Sequence, residues 1–195
     1  MNPIAPIQES PSRLPLYARL LGTAWTRLPV EVRQAHLDGE RLCRSGTFRI
    51  RHGTSTLSRI AAAILRLPRA GDAVATQLIV LRTKDGEKWV RRFAGNTLTT
   101  TQTTDTSGLL IEHFGMLEIR VRLEVDAGAL IYRQVGAALR LGLLRVPLSR
   151  CLWPFITGSE KADCPRGTSV SVRVTLPLAD LLIAYDGHLD GKESE

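Results

Sequence analysis

The sequence predicts an α+β fold: a curved, mostly antiparallel sheet of about eight strands, forming a partly closed barrel whose concave face is covered by N-terminal helices. Apolar residues recur at three- and four-residue spacing in the first part of the chain, which is typical of helices. From residue 72 onward apolar and polar residues alternate instead, and turn signals recur at hairpin spacing. Consecutive hairpins favour antiparallel pairing, so the apolar side of the sheet is expected to pack under the helices.

Three helices are predicted. The stretch from Pro15 to Leu28 has one apolar stripe that contains Tyr17 and Trp25, and Pro29 ends it or starts the next helix. The stretch PVEVRQAHL then offers a short second helix. In GTSTLSRIAAAILRLP a Ser or Thr cap precedes apolar residues at helical spacing, which predicts a third helix over about 55–67.

The strands are predicted from alternation. SGTFRIRH, at 45–52, is a first strand, and because a helix separates it from the others we expect it at an edge of the sheet. In MLEIRVRLEV five apolar residues share one face, and Asp85-Gly86 marks a hairpin turn. The stretch GLLRVPLSRCLWPF is interpreted as a break between strands. The other predicted strands lie in AVATQLIVLRT, EKWVRRFA, NTLTTTQTTD, LLIEHFG, ALIYRQV, SVSVRVTLPL and LLIAYDGHL.

A chain of 195 residues has the size of one ordinary domain. We expect a single α+β domain over 14–189. The proline-rich segment 1–13 and the polar tail 190–195 are expected to be disordered.

The net charge of +7 raises the question of a nucleic-acid partner, which the charge pattern argues against. Arginines are dispersed along the chain and often stand beside acids, and aromatic residues make up 5% of the chain, too few for a base-stacking surface. A basic face that weakly attracts anions or a membrane surface stays open.

No cofactor or metal site is predicted. The three cysteines form no CxxC pair, no histidine stands at ligand spacing, and no dinucleotide- or phosphate-binding motif is present. There is no secretory signal and no apolar stretch long enough for a transmembrane segment, so a cytoplasmic protein with reduced thiols is expected. A Cys151–Cys164 bridge is the alternative.

A few polar residues are candidates for a site. Glu112 stands between apolar residues in LLIEHF, and it either points outward, the commoner arrangement on an alternating strand, or inward as a buried pair with Arg92. One of Arg91 and Arg92 must share a face with Trp89. That arginine could hold a carboxylate or phosphate, or its stem could lie along apolar surface with its guanidinium in water.

Several stretches together resemble the bacterial family "domain of unknown function 4166", over roughly residues 14–189. The resemblance implies family-pattern positions at His36, Arg92, Glu112 and Tyr185, without an assigned role. It also implies that some relatives are fused to saccharopine-dehydrogenase-like or epimerase-like domains. The stretches that carry it are LYARLLGTAWTRLPVEVRQAH, GTSTLSRIAAAILRLP, KWVRRFAG, GLLIEHFG and LPLADLLIAYDGHL.

Three functions are compatible with these observations. The first is a non-catalytic binding domain that holds a small apolar or amphipathic ligand in the concave face of the sheet. The second is an interaction module that docks on a separate NAD(P)-dependent oxidoreductase through an exposed apolar patch, for example beside Trp153-Pro154-Phe155. The third is a small enzyme that uses His36 and Glu112 as its titratable pair.

Overall fold

The computed structural model describes residues 14–37, 40–163, 167–177 and 179–191, and it has the predicted α+β character with a mostly antiparallel sheet. The helices are α1 (Leu16–Leu21), a 3-10 helix (Gly22–Arg27), α2 (Val30–Leu37) and α3 (Thr56–Ile64). The predicted disordered segments lie outside the described residues, apart from Asp190 and Gly191, and so does Cys164 with its alternative bridge.

The described residues form eleven strands that follow the predicted change from helical to alternating pattern. They are β1 (Arg41–His52), β2 (Gly71–Thr83), β3 (Gly86–Phe93), β4 (Asn96–Thr104), β5 (Leu110–Phe114), β6 (Leu117–Asp126), β7 (Ala129–Leu141), β8 (Leu144–Pro147), β9 (Phe155–Asp163), β10 (Gly167–Leu176) and β11 (Asp180–Leu189).

The sheet closes into a barrel, because β6, at one end of the strand order, also pairs with β7, which is next to the other end. Ten strands form the ring, and β8 is attached to β7 outside it. The prediction of about eight strands in a partly closed barrel was therefore too low in number and too open. The predicted edge position of β1 was also wrong, since β1 pairs with both β2 and β11.

Two strands, β8 and β9, account for part of the difference in number. Both include residues of the stretch that was interpreted as a break. Every residue of β8 is exposed, so the strand has no apolar face to recognise. In β9 the positions that line the barrel are Ile156, Gly158 and Glu160, so a small and an acidic residue interrupt the expected alternation.

Antiparallel order assigns each connection to one of two ends of the barrel. The β2–β3 and β6–β7 turns lie at the end that also contacts the 3-10 helix and α2, and we call this the closed end. The β5–β6 turn, the β7–β8 hairpin, the β10–β11 turn and α3 lie at the opposite end, which we call the mouth.

The N-terminal helices seal the closed end instead of covering a concave sheet face, which corrects that part of the prediction. Tyr17 of α1 and Val32 of α2 are fully buried there, together with Leu110 and Leu130 of the barrel wall. Burying side chains of this kind stabilises a fold by about 1.5–3 kcal/mol each. The closed end is therefore part of the hydrophobic core.

At the mouth, α3 is fixed to the β10–β11 connection by two serines. Ser55 caps the helix by accepting a hydrogen bond from the backbone nitrogen of Ser58 at 3.1 Å. The hydroxyl of Ser58 lies 2.7 Å from the carbonyl oxygens of both Ala179 and Leu181. In the described part of the chain no helix has the length and apolar character needed to cross a membrane.

Candidate functional site

The barrel encloses a cavity of about 450 Å³. Its wall is mainly aliphatic and aromatic, because inward positions on most strands carry the apolar half of the alternating pattern. Ile119 and Val121, from the alternating stretch MLEIRVRLEV, belong to this wall. Other apolar residues of the wall are Phe48, Leu78, Phe93, Leu98, Phe114, Leu117, Leu139, Ile156, Val170, Val172, Val174 and Leu176.

The cavity opens at the mouth. Leu65, which follows α3, and Leu152, which follows β8, both line the cavity and are also exposed to solvent. At the other end Tyr17 lines the cavity and is fully buried under the N-terminal helices. The space therefore has one open side and one closed side.

Polar residues gather in the part of the cavity nearer the closed end. The guanidinium of Arg91 donates to the hydroxyl of Thr100 at 3.0 Å and lies 3.5 Å from a carboxylate oxygen of Glu112. It also lies 5.0 Å from the centre of the Trp89 ring, a cation–π distance. The charge of Arg91 is thus matched inside the barrel by one carboxylate and one aromatic face.

A second set of polar contacts joins the barrel to the N-terminal helices. The hydroxyl of Tyr17 donates to the side-chain oxygen of Gln102 at 2.8 Å. His36 stacks on Tyr17 with ring centres 3.9 Å apart, and its Nε2 lies 3.0 Å from a carboxylate oxygen of Glu160. The other oxygen of Glu160 accepts a hydrogen bond from Tyr132 at 2.6 Å. These contacts hold α1 and α2 against the closed end.

The electrostatics of this region follow from burial and pairing. Burial would raise the pKa of Glu160, but the charge and hydrogen bond of His36 and the hydroxyl of Tyr132 hold it below its ordinary value. Burial raises the pKa of Tyr17 and Tyr132 well above the usual value, and nearby Glu160 acts in the same direction. The carboxylate is therefore ionised at neutral pH and the phenols are neutral donors.

Tyr185 differs from the other two tyrosines. It lines the cavity and contacts Phe48 and Phe93 through its ring. Its hydroxyl has no hydrogen-bond partner among the residues that the structure describes, and burial raises its pKa. The hydroxyl is a neutral donor available to a molecule inside the barrel.

The four sequence-predicted site residues fall into three places. Glu112 and Tyr185 line the cavity, so Glu112 points inward and not outward. His36 is buried behind Tyr17 at the closed end. Arg92 is exposed on the outer face, where it donates to Gln77 at 3.2 Å.

Several residues of the polar region were not singled out from the sequence. Arg91, not Arg92, is the arginine that shares a face with Trp89 and pairs with Glu112, as strand alternation allows but does not decide. Glu160 had no signal of its own, because β9 was not recognised as a strand, and Tyr132 lies on the predicted strand β7 but its partner Glu160 was missing. No group of three potential ligands within the described residues could hold a metal ion.

Comparison with known proteins finds a family model, described as "Domain of unknown function (DUF4166)", that matches residues 28–189. The chain belongs to this family. The DUF4166 match contains α2, α3 and all strands of the barrel, whereas α1 with Tyr17 lies before its first residue. The comparisons with curated proteins and with solved structures find no match.

Proposed function

We propose that this chain is a non-catalytic binding protein that holds one amphipathic molecule inside the barrel. The apolar part of the ligand lies against the aliphatic wall, and an uncharged polar group reaches Tyr185 and the Arg91–Glu112 pair. The observation that carries the proposal is the cavity of about 450 Å³, which is open at the mouth and polar toward the closed end.

The size and lining of the cavity support this role. Small-molecule sites usually have about 300–1,000 Å³ and are mainly apolar, with a few polar groups that fix the orientation of the ligand. A barrel that served only as a scaffold would be expected to fill its interior with side chains. Here Ile119 and Val121 contribute to the core and to the cavity wall together.

The charge balance favours an uncharged polar group on the ligand. Arg91 already faces Glu112, and Glu160 already has partners in His36 and Tyr132. A ligand carboxylate would have to compete with Glu112 for Arg91. A hydroxyl or amide needs only the free donor of Tyr185 and the remaining lone pairs of Glu112.

The test is calorimetric titration of the protein with decanol and, separately, with decanoic acid. Val172→Phe fills the cavity and is expected to weaken decanol binding at least about tenfold, since the alkyl chain of decanol loses its space. Val135→Phe is the matched control, because Val135 is exposed outside the cavity lining. Tyr185→Phe is expected to weaken decanol binding about fivefold by removing one hydrogen bond.

Two results would contradict the proposal. Decanol binding that is absent, or unchanged in Val172→Phe, would mean that the cavity does not hold the alkyl chain of decanol. Tighter binding of decanoic acid than of decanol would mean that the polar group is anionic.

The enzyme hypothesis has less support. His36 contacts Glu160 and Tyr17, and no hydrogen bond or ion pair joins it to Glu112 within the described residues. Its imidazole is also shielded from the cavity by Tyr17, so a substrate in the barrel would not meet a His36–Glu112 pair.

A further inference from the structure

The mouth of the barrel carries exposed apolar side chains on four separate segments. They come from α3, the β5–β6 turn, the β7–β8 hairpin and the loop before β9. Each is at least half exposed, although residues of these types are usually covered. The six that define this set, which we call the rim, are Ile60, Ile64, Met116, Leu143, Leu144 and Leu152.

Backbone contacts hold parts of the rim in place. The backbone nitrogen of Arg140, next to the tip of the β7–β8 hairpin, donates to the carbonyl oxygen of Met116 at 2.8 Å. Leu148, just after β8, donates in the same way to Ala137 at 2.9 Å. The hairpin and the β5–β6 turn are therefore held next to each other at the mouth.

Positive charge predominates beside the rim, where the exposed Asp180 at the start of β11 adds one negative charge. The two long segments at the mouth, 53–70 and 139–155, contain six arginines and no aspartate or glutamate. Arg140 and Arg145 share a single carboxylate, Glu118, at 3.4 and 2.8 Å, so this group keeps a positive charge. Arg59 and Arg66 are exposed beside the apolar residues of α3 and the loop that follows it.

We propose that the mouth docks on the surface of an anionic lipid membrane, with the rim inserted among the lipids and the arginines at the headgroups. Apolar tips next to basic residues are the pattern that binds anionic interfaces. The rim residues lie on four separate segments, which suits a fluid surface that needs no matching shape. The proposal does not depend on the ligand, although it would make the cavity open toward the bilayer.

The experiment is flotation of the purified 195-residue chain with two kinds of vesicle, one containing phosphatidylglycerol and phosphatidylcholine and one containing phosphatidylcholine alone. We expect binding to the anionic vesicles, decreasing as salt is added. Leu143→Asp should weaken it at least about tenfold. Leu143 is 104% exposed, so its replacement is not expected to affect folding. Arg59→Glu should weaken binding about tenfold or more.

Matched controls come from the closed end, where Leu14 and Arg27 are exposed. Leu14→Asp and Arg27→Glu should bind anionic vesicles like the unmodified chain. Val172→Phe, which fills the cavity, should also bind them normally, so that failure of ligand binding and failure of docking give different results.

Three outcomes would overturn the proposal. The first is no flotation, or equal flotation with both kinds of vesicle. The second is concentration-dependent self-association that Leu143→Asp abolishes while vesicles are not bound, which would make a second copy the occupant. The third is a complex with an NAD(P)-dependent oxidoreductase that Leu143→Asp abolishes, again without vesicle binding, which would make a protein the occupant.

Discussion

Glu160 is a buried carboxylate whose two oxygens each have a partner, His36 on α2 and Tyr132 on β7. Removing one partner of a buried charge is costly because the charge remains in place. Tyr132→Phe is therefore expected to lower the free energy of unfolding by about 1–3 kcal/mol, measured by urea denaturation. Tyr185→Phe should change it by less than about 0.5 kcal/mol, since no described residue bonds that hydroxyl. Equal losses in both variants would contradict this interpretation.

Asp105 gives a prediction for pH dependence. Partial burial opposes ionisation, but hydrogen bonds from Leu109 and Ser107 and the contact with Arg120, at 2.5 Å, hold the pKa of Asp105 well below its ordinary value. A carboxyl with a lowered folded-state pKa adds stability above its unfolded pKa of about 4, and this is lost as pH falls below that value.

Asp105→Asn is therefore expected to lose less stability than the unmodified chain between neutral pH and about pH 3. Urea denaturation at both pH values measures the difference. Asp85→Asn, in the exposed turn between β2 and β3, is the control and should follow the unmodified chain. A parallel pH dependence in Asp105→Asn would show that this carboxyl does not contribute.

At the residue scale the sequence predicts faces better than partners. Alternation states that one arginine of the Arg91–Arg92 pair shares a face with Trp89, and Arg91 does so. Whether that face is exposed to solvent or buried depends on whether the sheet closes. The local pattern carries no information about closure. Glu112 points inward because the sheet closes into a barrel, and the inside of the barrel is large enough to hold its charged pair.

At the scale of elements, the attachment of α3 depends on two serines, of which Ser58 is the buried one. Ser58 is nearly fully buried, and its hydroxyl lies within hydrogen-bond distance of two carbonyl oxygens of the β10–β11 connection. Ser58→Ala leaves these carbonyls without that donor and should cost about 1–3 kcal/mol in thermal or urea unfolding. Thr56→Ala, exposed on the same helix, should cost much less. Faster hydrogen exchange over 53–70 in Ser58→Ala would indicate that α3 has come loose.

Helices were predicted where a cap and a stripe coincide. The third helix was expected over about 55–67 and is observed as Thr56–Ile64, with Ser55 at its cap. The first was expected as one continuous helix, but Gly22 has a φ of 53° and the chain continues as a 3-10 turn. Glycine takes this conformation readily, and the stripe by itself could not reveal the change.

At the scale of the whole molecule, Tyr17 connects the helices to the barrel interior together with His36. It is fully buried, stacks on His36 and bonds Gln102. Tyr17→Ala should lower the free energy of unfolding by about 3–5 kcal/mol and open the closed end. Tyr17→Phe keeps the ring and should lose only about 1 kcal/mol. Chemical denaturation distinguishes the two, and similar losses would assign the stability to the hydroxyl instead of the ring.

Closure of the barrel could not be predicted from local patterns. Three of the ten pairings in the ring decide its closure: β1 with β11, β6 with β7, and β7 with β9. Of these the β6–β7 hairpin is local and is foreseeable from Asp126-Ala127-Gly128. The other two join segments that are distant in sequence or lack alternation, and hydropathy describes which face is apolar but not which strand is the neighbour.

The pairing of β1 with β11 has a consequence for how the chain is made. Gly46 lies opposite Leu189, so β1 must wait for the much later β11 to emerge from the ribosome before the circle can be completed. Until then both edge strands of the sheet stay unpaired and its apolar inner face is exposed to solvent. Such distant pairing slows folding into the range of milliseconds to seconds. The nascent polypeptide therefore passes through an aggregation-prone intermediate, which favours chaperone assistance.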